Sequence, residues 1–164
     1  MTSKFSYLIA FGAAAFLAAC EPDAPEPASN AGTGGGATNV DTTSVQYFQQ
    51  TVGDRVFFET DSSRLTGVGQ QTLARQAAWL NQNGAVNAVI EGHADERGTR
   101  EYNLALGARR AEAARAYLVS QGVAAGRLRT ISYGKERPES LCSAESCWSQ
   151  NRRSVTVLAG APTS

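Results

Sequence analysis

The chain's single histidine lies in a thirteen-residue stretch, EGHADERGTREYN (Glu91 to Asn103), which also contains four carboxylates and two arginines. Side chains of these types can ligate a metal, transfer protons during catalysis, or bind a charged ligand without altering it. The spacing of the groups, and the elements that carry them, distinguish between these three kinds of site.

Two of the three lack residues that they require. A metal site could use His93, Asp95 and Glu96, but the second, spaced cluster of ligands that metal sites usually have is missing. A hydrolase could use His93 as a base oriented by Asp95, but it would need a serine or cysteine nucleophile, and there is no G-x-S-x-G turn. No metal, no cofactor and no catalysis are therefore expected, and His93 is predicted to be a structural, hydrogen-bonded residue.

Ligand binding agrees with helical geometry. Asn103, Leu106 and Arg110 are spaced i, i+3 and i+7, so they share one face of a predicted helix, and Asp95 lies in the loop just before it. This pair suits a ligand with an ammonium and a carboxylate group, because Asp95 would bind the cation and Arg110 the carboxylate. Gly92 would let the backbone approach the ligand. The alternative is a structural ion pair between Asp95 and Arg110, and the spacing leaves both open.

The elements around these residues follow the order βαβαββ. Leu104, Ala108, Ala111, Ala114 and Leu118 are predicted to form the buried stripe of the second helix. The fold class is α+β, a two-layer sandwich with two helices packed on one face of a four-stranded mixed sheet. Apolar periodicity and turn residues predict strands over 55–60, 86–92, 127–134 and 152–158, and helices over about 66–83 and 101–121.

The N-terminal residues are predicted to lie outside this domain. An apolar run, residues 5–19, follows Lys4 and is too short to span a bilayer, which is typical of a signal peptide over residues 1–19. The run ends in LAAC, which favours lipidation of Cys20 over an ordinary cleavage site with an incidental cysteine. Residues 20–44, rich in Pro, Gly, Ser and Ala, are predicted to be a disordered tether, and residues 45–160 the folded domain.

Charge and cysteine content limit the partners and the compartment. The net charge is zero, and the folded domain is only mildly basic, which is too little to predict binding to nucleic acid. Cys142 and Cys147 are close enough to form a small disulfide loop in an oxidising compartment, with two free thiols as the alternative. A zinc site is not favoured, because the only histidine is far away in the sequence.

The motifs of the domain resemble those of a known family. The segment GHADERGTREYNLALGARRAEAARAYL, followed by GV, SYGKERP and NRRSV, resembles the OmpA-like peptidoglycan-binding domain, and the resemblance runs from VFFETDSSRL to NRRSVTVL. The signal peptide, the lipidation motif and the tether are similar to those of the family's lipoproteins in the Tol–Pal system. The LCSAESC insert departs from many members of the family.

The resemblance implies a ligand and a set of site residues. In the family, the pocket binds the meso-diaminopimelate residue of the peptidoglycan stem peptide without a covalent bond. By motif position, Asp95 (GHxD) and Arg110 (RRA) supply the two charges, Asn103 and Leu106 (N-x-x-L) line the pocket, and Arg152 (the first arginine of NRR) lies near it.

The resemblance also implies partners and a location. It implies a lipoprotein that is anchored in the outer membrane through Cys20, with its domain in the periplasm and residues 60–63 at the edge of the pocket. TolB and other Tol proteins are the implied partners, and the implied role is to tether the membrane to the cell wall, supporting envelope integrity and cell division. The alternatives are a protein-binding lipoprotein of this family outside the Tol–Pal system and a cell-wall hydrolase.

Overall fold

The computed structural model describes residues 41–159, so Cys20, the predicted signal peptide and most of the predicted tether lie outside the described residues. Among residues 41–159, no helix is both long enough and apolar enough to cross a membrane. The elements, in chain order, are α1 (Val45–Tyr47), a π-helical segment (Phe48–Gly53), β1 (Arg55–Phe57), α2 (Gly67–Gln82), β2 (Asn87–His93), α3 (Arg100–Ser120), a 3₁₀ turn (Ala125–Arg127), β3 (Leu128–Gly134), α4 (Glu145–Asn151) and β4 (Arg153–Ala159).

The four strands form one mixed sheet in the order β1–β4–β2–β3. β2 and β3 are parallel because α3 connects them as a crossover, whereas β4 runs antiparallel to both β1 and β2. The two long helices, α2 and α3, share one core with the sheet. The predicted α+β fold, with helices on one face of a mixed four-stranded sheet, is confirmed.

The core is formed where the apolar stripes of both helices meet the sheet. Leu73 and Leu80 of α2, Ile90 of β2 and Leu118 of α3 are fully buried. Phe48, from the π-helical segment, closes the core against Trp79, with ring centroids 4.9 Å apart. The segment before β1 is therefore part of the folded domain.

The predicted buried stripe of α3 is wrong in the N-terminal half of the helix. Leu104 is 41% exposed and Ala108 is also exposed, whereas Ala111, Ala114 and Leu118 are buried as predicted. In this half of the helix, two of the residues on the buried face are polar. A search for apolar residues therefore does not identify which face is buried. The buried positions there are Asn103, Leu106, Gly107 and Arg110.

Two glycines fix where α3 crosses the sheet. A Cβ atom on Gly92 of β2 would lie 1.8 Å from the carbonyl oxygen of Gly107, and one on Gly107 would lie 2.4 Å from the Ser132 hydroxyl. The helix and strand can touch only because neither residue has a side chain. Gly92 therefore serves helix packing, rather than the approach of a ligand, and this contact sets the first turns of α3 against the end of β2.

Two local elements differ from the sequence prediction. β1 ends at Phe57 instead of residue 60, although Phe58 still donates a backbone hydrogen bond to Arg152. The short helix α4 lies between the third and fourth predicted strands, where the sequence predicted no helix. Its sequence, ESCWSQN, has a single large apolar side chain, so it carries no helical periodicity.

Candidate functional site

A cleft lies where β2 ends and α3 begins, and we call it the Asp95 cleft. Asp95 follows β2, and α3 starts after Thr99, whose hydroxyl accepts a hydrogen bond from the Tyr102 amide at 3.2 Å. The cleft has a volume of about 330 Å³, at the lower end of the range for small-ligand pockets. It is lined by Thr60, Asp61, Asp95, Arg97, Gly98, Tyr102, Asn103 and Leu106.

The Asp95 carboxylate is nearly buried and is held by two arginines. Its side chain is only 9% exposed, and Arg97 binds it through Nη2 to Oδ2 at 2.7 Å and Nε to Oδ1 at 3.1 Å. Arg152 adds a longer contact from Nη1 to Oδ2, at 3.4 Å. Burial alone would raise the pKa of Asp95, but the hydrogen bonds and charges of these arginines hold it below the ordinary value. Asp95 is therefore a fixed negative charge at neutral pH.

Arg110 is fully buried and its guanidinium binds backbone carbonyls. It donates to the oxygens of Ser62 and His93, both at 2.8 Å, and to that of Glu59 at 3.2 Å, and its Cζ lies 5.2 Å from the Phe58 ring centroid. Burial lowers the pKa of Arg110 to about 10, so the group is still charged at neutral pH. The side chain joins the loop after β1 to the end of β2.

The Asp95–Arg110 ion pair, left open by the sequence, is not formed. Within residues 41–159, Asp95 makes its ion pairs with Arg97 and Arg152 instead. Arg110 lies behind the cleft and is not among the residues that line it. The two predicted charges are thus brought to the same region, but only the carboxylate faces the cleft.

The two predicted pocket residues of α3 both line the cleft. Asn103 is 2% exposed and donates from Nδ2 to the carbonyl of Arg97 at 2.7 Å, which shapes the loop that precedes the helix. Leu106 is 5% exposed and provides an apolar wall one turn later. Their spacing of three residues places them on the same side of α3, as the sequence indicated.

Arg152 lies beside Asp95 but opens onto a different groove. It donates from Nε to the Phe58 carbonyl at 3.1 Å, contacts Asp95 and pairs with Glu145. The neighbouring groove, of about 720 Å³, runs along β1 between α2 and α4, and Arg152 lines it. Arg152 therefore contacts Asp95 and lies near the Asp95 cleft, as the resemblance implied, but it does not line the cleft.

Several residues that line or support the cleft were not singled out from the sequence. Arg97 covers Asp95, Tyr102 donates its hydroxyl to Asp61 across the opening, and the Arg97 guanidinium stacks over the Trp148 ring at 4.3 Å. Thr60 and Asp61 do belong to the 60–63 segment implied by the resemblance. Asp side chains often accept a hydrogen bond from the backbone N–H two residues later, as Asp95 Oδ1 does here from Arg97 at 3.1 Å. The spacing of the two residues in the sequence could therefore have indicated this contact.

His93 is buried next to the site, on the far side of the β2 end. Its ring packs at a tilt against Tyr133, with centroids 5.6 Å apart, and its Nε2 is 3.6 Å from a Glu91 carboxylate oxygen. Burial, and after it the nearby charges of Arg153 and Arg137, lower the pKa of His93 to about 4, so the ring is neutral at pH 7. Among residues 41–159, no three His, Cys, Asp or Glu side chains are grouped so as to hold a metal ion.

The two cysteines of the described residues are joined. Cys142 and Cys147 form a disulfide with a Cα–Cα distance of 5.6 Å. Cys147 belongs to α4, which also carries Trp148, so the disulfide loop leads directly to the aromatic ring beneath Arg97.

Comparison with known proteins assigns the chain to a family. The OmpA family model matches residues 57–152. The peptidoglycan-associated lipoprotein of Mesorhizobium japonicum is 67% identical over 118 residues, which cover 72% of this chain and 70% of that protein. The lipoprotein of the same name from Agrobacterium fabrum is 55% identical over 156 residues, covering 94% of this chain and 88% of that protein.

Solved structures agree with this assignment. The crystal structure of the peptidoglycan-associated lipoprotein from Burkholderia pseudomallei superposes with a TM-score of 0.65 at 38% identity, over 68% of this chain and 96% of that chain. The C-terminal domain of Helicobacter pylori MotB, at 22% identity and a TM-score of 0.60, has the same fold. On the match to residues 57–152 and on these relatives, the chain belongs to the OmpA family.

Proposed function

We propose that this chain binds peptidoglycan without a covalent bond, and that the Asp95 cleft takes the meso-diaminopimelate residue of the stem peptide. The names of its relatives, lipoproteins associated with peptidoglycan, support the polymer as the ligand. The observation that carries the proposal is a buried, ionised carboxylate at a small cleft beside a buried guanidinium. A ligand with both an ammonium and a carboxylate group is complementary to that arrangement.

In this proposal, the ammonium group of the ligand enters the cleft toward Asp95. Asp95 is held in place by Arg152 and by the loop before α3, so it is already oriented when the ligand arrives. Leu106 and Tyr102 would contact the aliphatic chain between the two charged ends of the ligand. A fixed carboxylate in a partly dry site binds an ammonium more strongly than an exposed one does.

Arg110 contributes to the proposed site chiefly through charge and position. Three of its five N–H groups are used by the carbonyls of Glu59, Ser62 and His93. Because Arg110 is fully buried behind the cleft, its charge would attract a ligand carboxylate in the cleft without direct contact. Lysine, which lacks the second carboxylate of diaminopimelate, would lose this part of the interaction.

The chain is not an enzyme, since it belongs to the OmpA family and its relatives are lipoproteins named for their association with peptidoglycan.

We propose that Cys20 carries the acyl chains of an outer-membrane lipoprotein and that the domain lies in the periplasm. Two or more acyl chains anchor a protein stably, because each buried methylene contributes about 0.8 kcal/mol. The domain would then link membrane to cell wall, with TolB and other Tol proteins as partners in envelope integrity and cell division, as the family resemblance suggests.

Co-sedimentation of the purified protein with peptidoglycan sacculi tests the proposed site. We expect the wild type to sediment with sacculi and Asp95→Asn to remain largely in the supernatant, because the variant keeps its shape but loses the charge. Glu112→Gln is the matched control, as Glu112 is an exposed acid on the same helix as Asn103. Equal sedimentation of Asp95→Asn and wild type would place the binding site elsewhere.

A further inference from the structure

The Asp95 carboxylate has no acceptor position left for a ligand. An ionised carboxylate has about four acceptor positions, two on each oxygen. On Oδ1 they are taken by the backbone N–H and the Nε of Arg97, and on Oδ2 by Nη2 of Arg97 and Nη1 of Arg152. Two of these four contacts come from the Arg97 side chain. An ammonium group can therefore bond to Asp95 only after that side chain has moved away.

Arg97 lies at the surface, where its side chain can swing away from Asp95, and one contact favours its present position in addition to its bonds to Asp95. Its side chain is 40% exposed, so a swing into solvent meets no packed core. The guanidinium also lies over the Trp148 ring, with Cζ 4.3 Å from the centroid. A cation over an aromatic face is attracted by the ring's quadrupole, so Trp148 stabilises the arrangement in which Arg97 covers Asp95.

Trp148 is itself firmly placed. Its Nε1 donates to a Glu96 carboxylate oxygen at 3.0 Å, and its carbonyl accepts from the Arg152 amide at 3.0 Å. It belongs to α4, whose start is tied by the Cys142–Cys147 disulfide. At the other end of α4, the Asn151 side chain bonds the backbone of residues 139 and 140. The ring under Arg97 therefore belongs to a braced segment.

We propose that Trp148 is a positioning residue that holds Arg97 on Asp95, so that Arg97 competes with the ammonium group of the ligand for the carboxylate. This inference rests on the proposed function for its ligand, and it concerns how occupancy of the same cleft is set. Binding of the ligand must break the stack between Arg97 and Trp148. If the stack is weaker in the free protein, less free energy is lost when binding breaks it, so the ligand binds more tightly.

Calorimetric titration with a diaminopimelate stem peptide tests the competition. We expect Trp148→Ala to bind about two- to fivefold more tightly than wild type, which corresponds to the loss of an exposed cation–π contact. Trp148→Phe should stay close to wild type, because it keeps an aromatic face, and Arg97→Gln should bind more tightly still. Leu141→Ala is the control, since Leu141 is 90% exposed and directly precedes the Cys142–Cys147 loop. Weaker binding by Trp148→Ala or Arg97→Gln would overturn the proposal, because it would make Arg97 a contact that favours the ligand.

A second readout needs no ligand. The Nε–H of Arg97 can be followed by NMR, its signal identified by its loss in Arg97→Gln, and its exchange with water should be about two- to fivefold faster in Trp148→Ala than in wild type. Unchanged exchange would overturn the positioning role of Trp148, whatever the peptide does. If the wild type binds no diaminopimelate peptide but the exchange rate responds to Trp148, then the proposed function fails and the hold of Trp148 on Arg97 stands.

Discussion

At the scale of single residues, the site depends on buried charges whose roles differ from their sequence pattern. Asp95 faces the cleft, whereas Arg110 points into the protein and binds three carbonyls. A spacing of i, i+3 and i+7 shows which residues share a helical face, but it does not show which carbonyls will lie opposite that face. The sequence could therefore predict both charged residues. It could not predict that the Arg110 guanidinium is already bound by backbone carbonyls.

Replacing Arg110 tests its structural role. In Arg110→Met, the carbonyls of Glu59, Ser62 and His93 lose their donors, and we expect the free energy of unfolding to fall by about 3 kcal/mol. Urea denaturation monitored by circular dichroism measures this change. Arg109→Met, at the exposed neighbouring position, should change it by less than about 0.5 kcal/mol. A similarly small effect in Arg110→Met would mean that water or other donors satisfy the three carbonyls.

His93 gives the domain a predictable response to acid. Its pKa is about 4 in the folded protein, against an ordinary value of 6.5, so between these values the unfolded chain binds a proton that the folded protein does not. Stability from this residue is complete above pH 6.5 and should fall by about 3 kcal/mol as the pH drops to 4. The groups around the ring are Glu91, which is 3.6 Å away, and the cations Arg153 and Arg137.

Urea unfolding at several pH values between 4 and 7 checks the response of His93. In His93→Gln the stability should be nearly flat over the same range, since a neutral amide binds no proton. Asp95, whose pKa lies below its ordinary value, adds a loss of stability only at the acid end of the range. A wild-type stability that does not change between pH 6.5 and 4 would contradict a buried neutral ring.

At the scale of elements, the site is positioned by one close contact and one braced loop. α3 reaches the end of β2 because Gly92 and Gly107 meet without side chains, and α4 brings Trp148 beneath the loop that holds Asp95. The periodicity of α2 and of the second half of α3 could be predicted, because those halves pack apolar residues against the sheet. The buried face of the first half of α3 could not be predicted from apolar periodicity, because two of its residues are polar, and α4 could not be predicted because it has no such periodicity.

The contact between α3 and β2 can be tested at Gly92. A methyl group there would lie 1.8 Å from the Gly107 carbonyl oxygen, so Gly92→Ala must push the helix away from the strand. We expect it to lower the free energy of unfolding by about 3 kcal/mol or to prevent folding, as measured by urea denaturation. Gly126→Ala is the matched control, since nothing lies within 4 Å of its added methyl group. Equal stability of the two variants would contradict this packing.

At the scale of the whole molecule, side chains from separate elements meet at one end of the sheet. The loop after β1, the end of β2, the start of α3 and the α4 segment all contribute side chains to the Asp95 cleft or to its support. The family resemblance identified most of the residues that converge there, because those residues lie in its motifs. Arg97 and Trp148 required the structure, since their role depends on contacts between segments about fifty residues apart.

The most direct test of the proposed site is calorimetry of the purified protein with a stem peptide that contains meso-diaminopimelate, beside the same peptide with lysine in its place. We expect the diaminopimelate peptide to bind, the lysine peptide to bind far more weakly, and Asp95→Asn to lose about 2–5 kcal/mol of binding free energy, because an ammonium is left without its partner. Glu112→Gln should bind as the wild type does. Equal binding of both peptides, or undiminished binding by Asp95→Asn, would contradict a site that recognises diaminopimelate through the buried carboxylate.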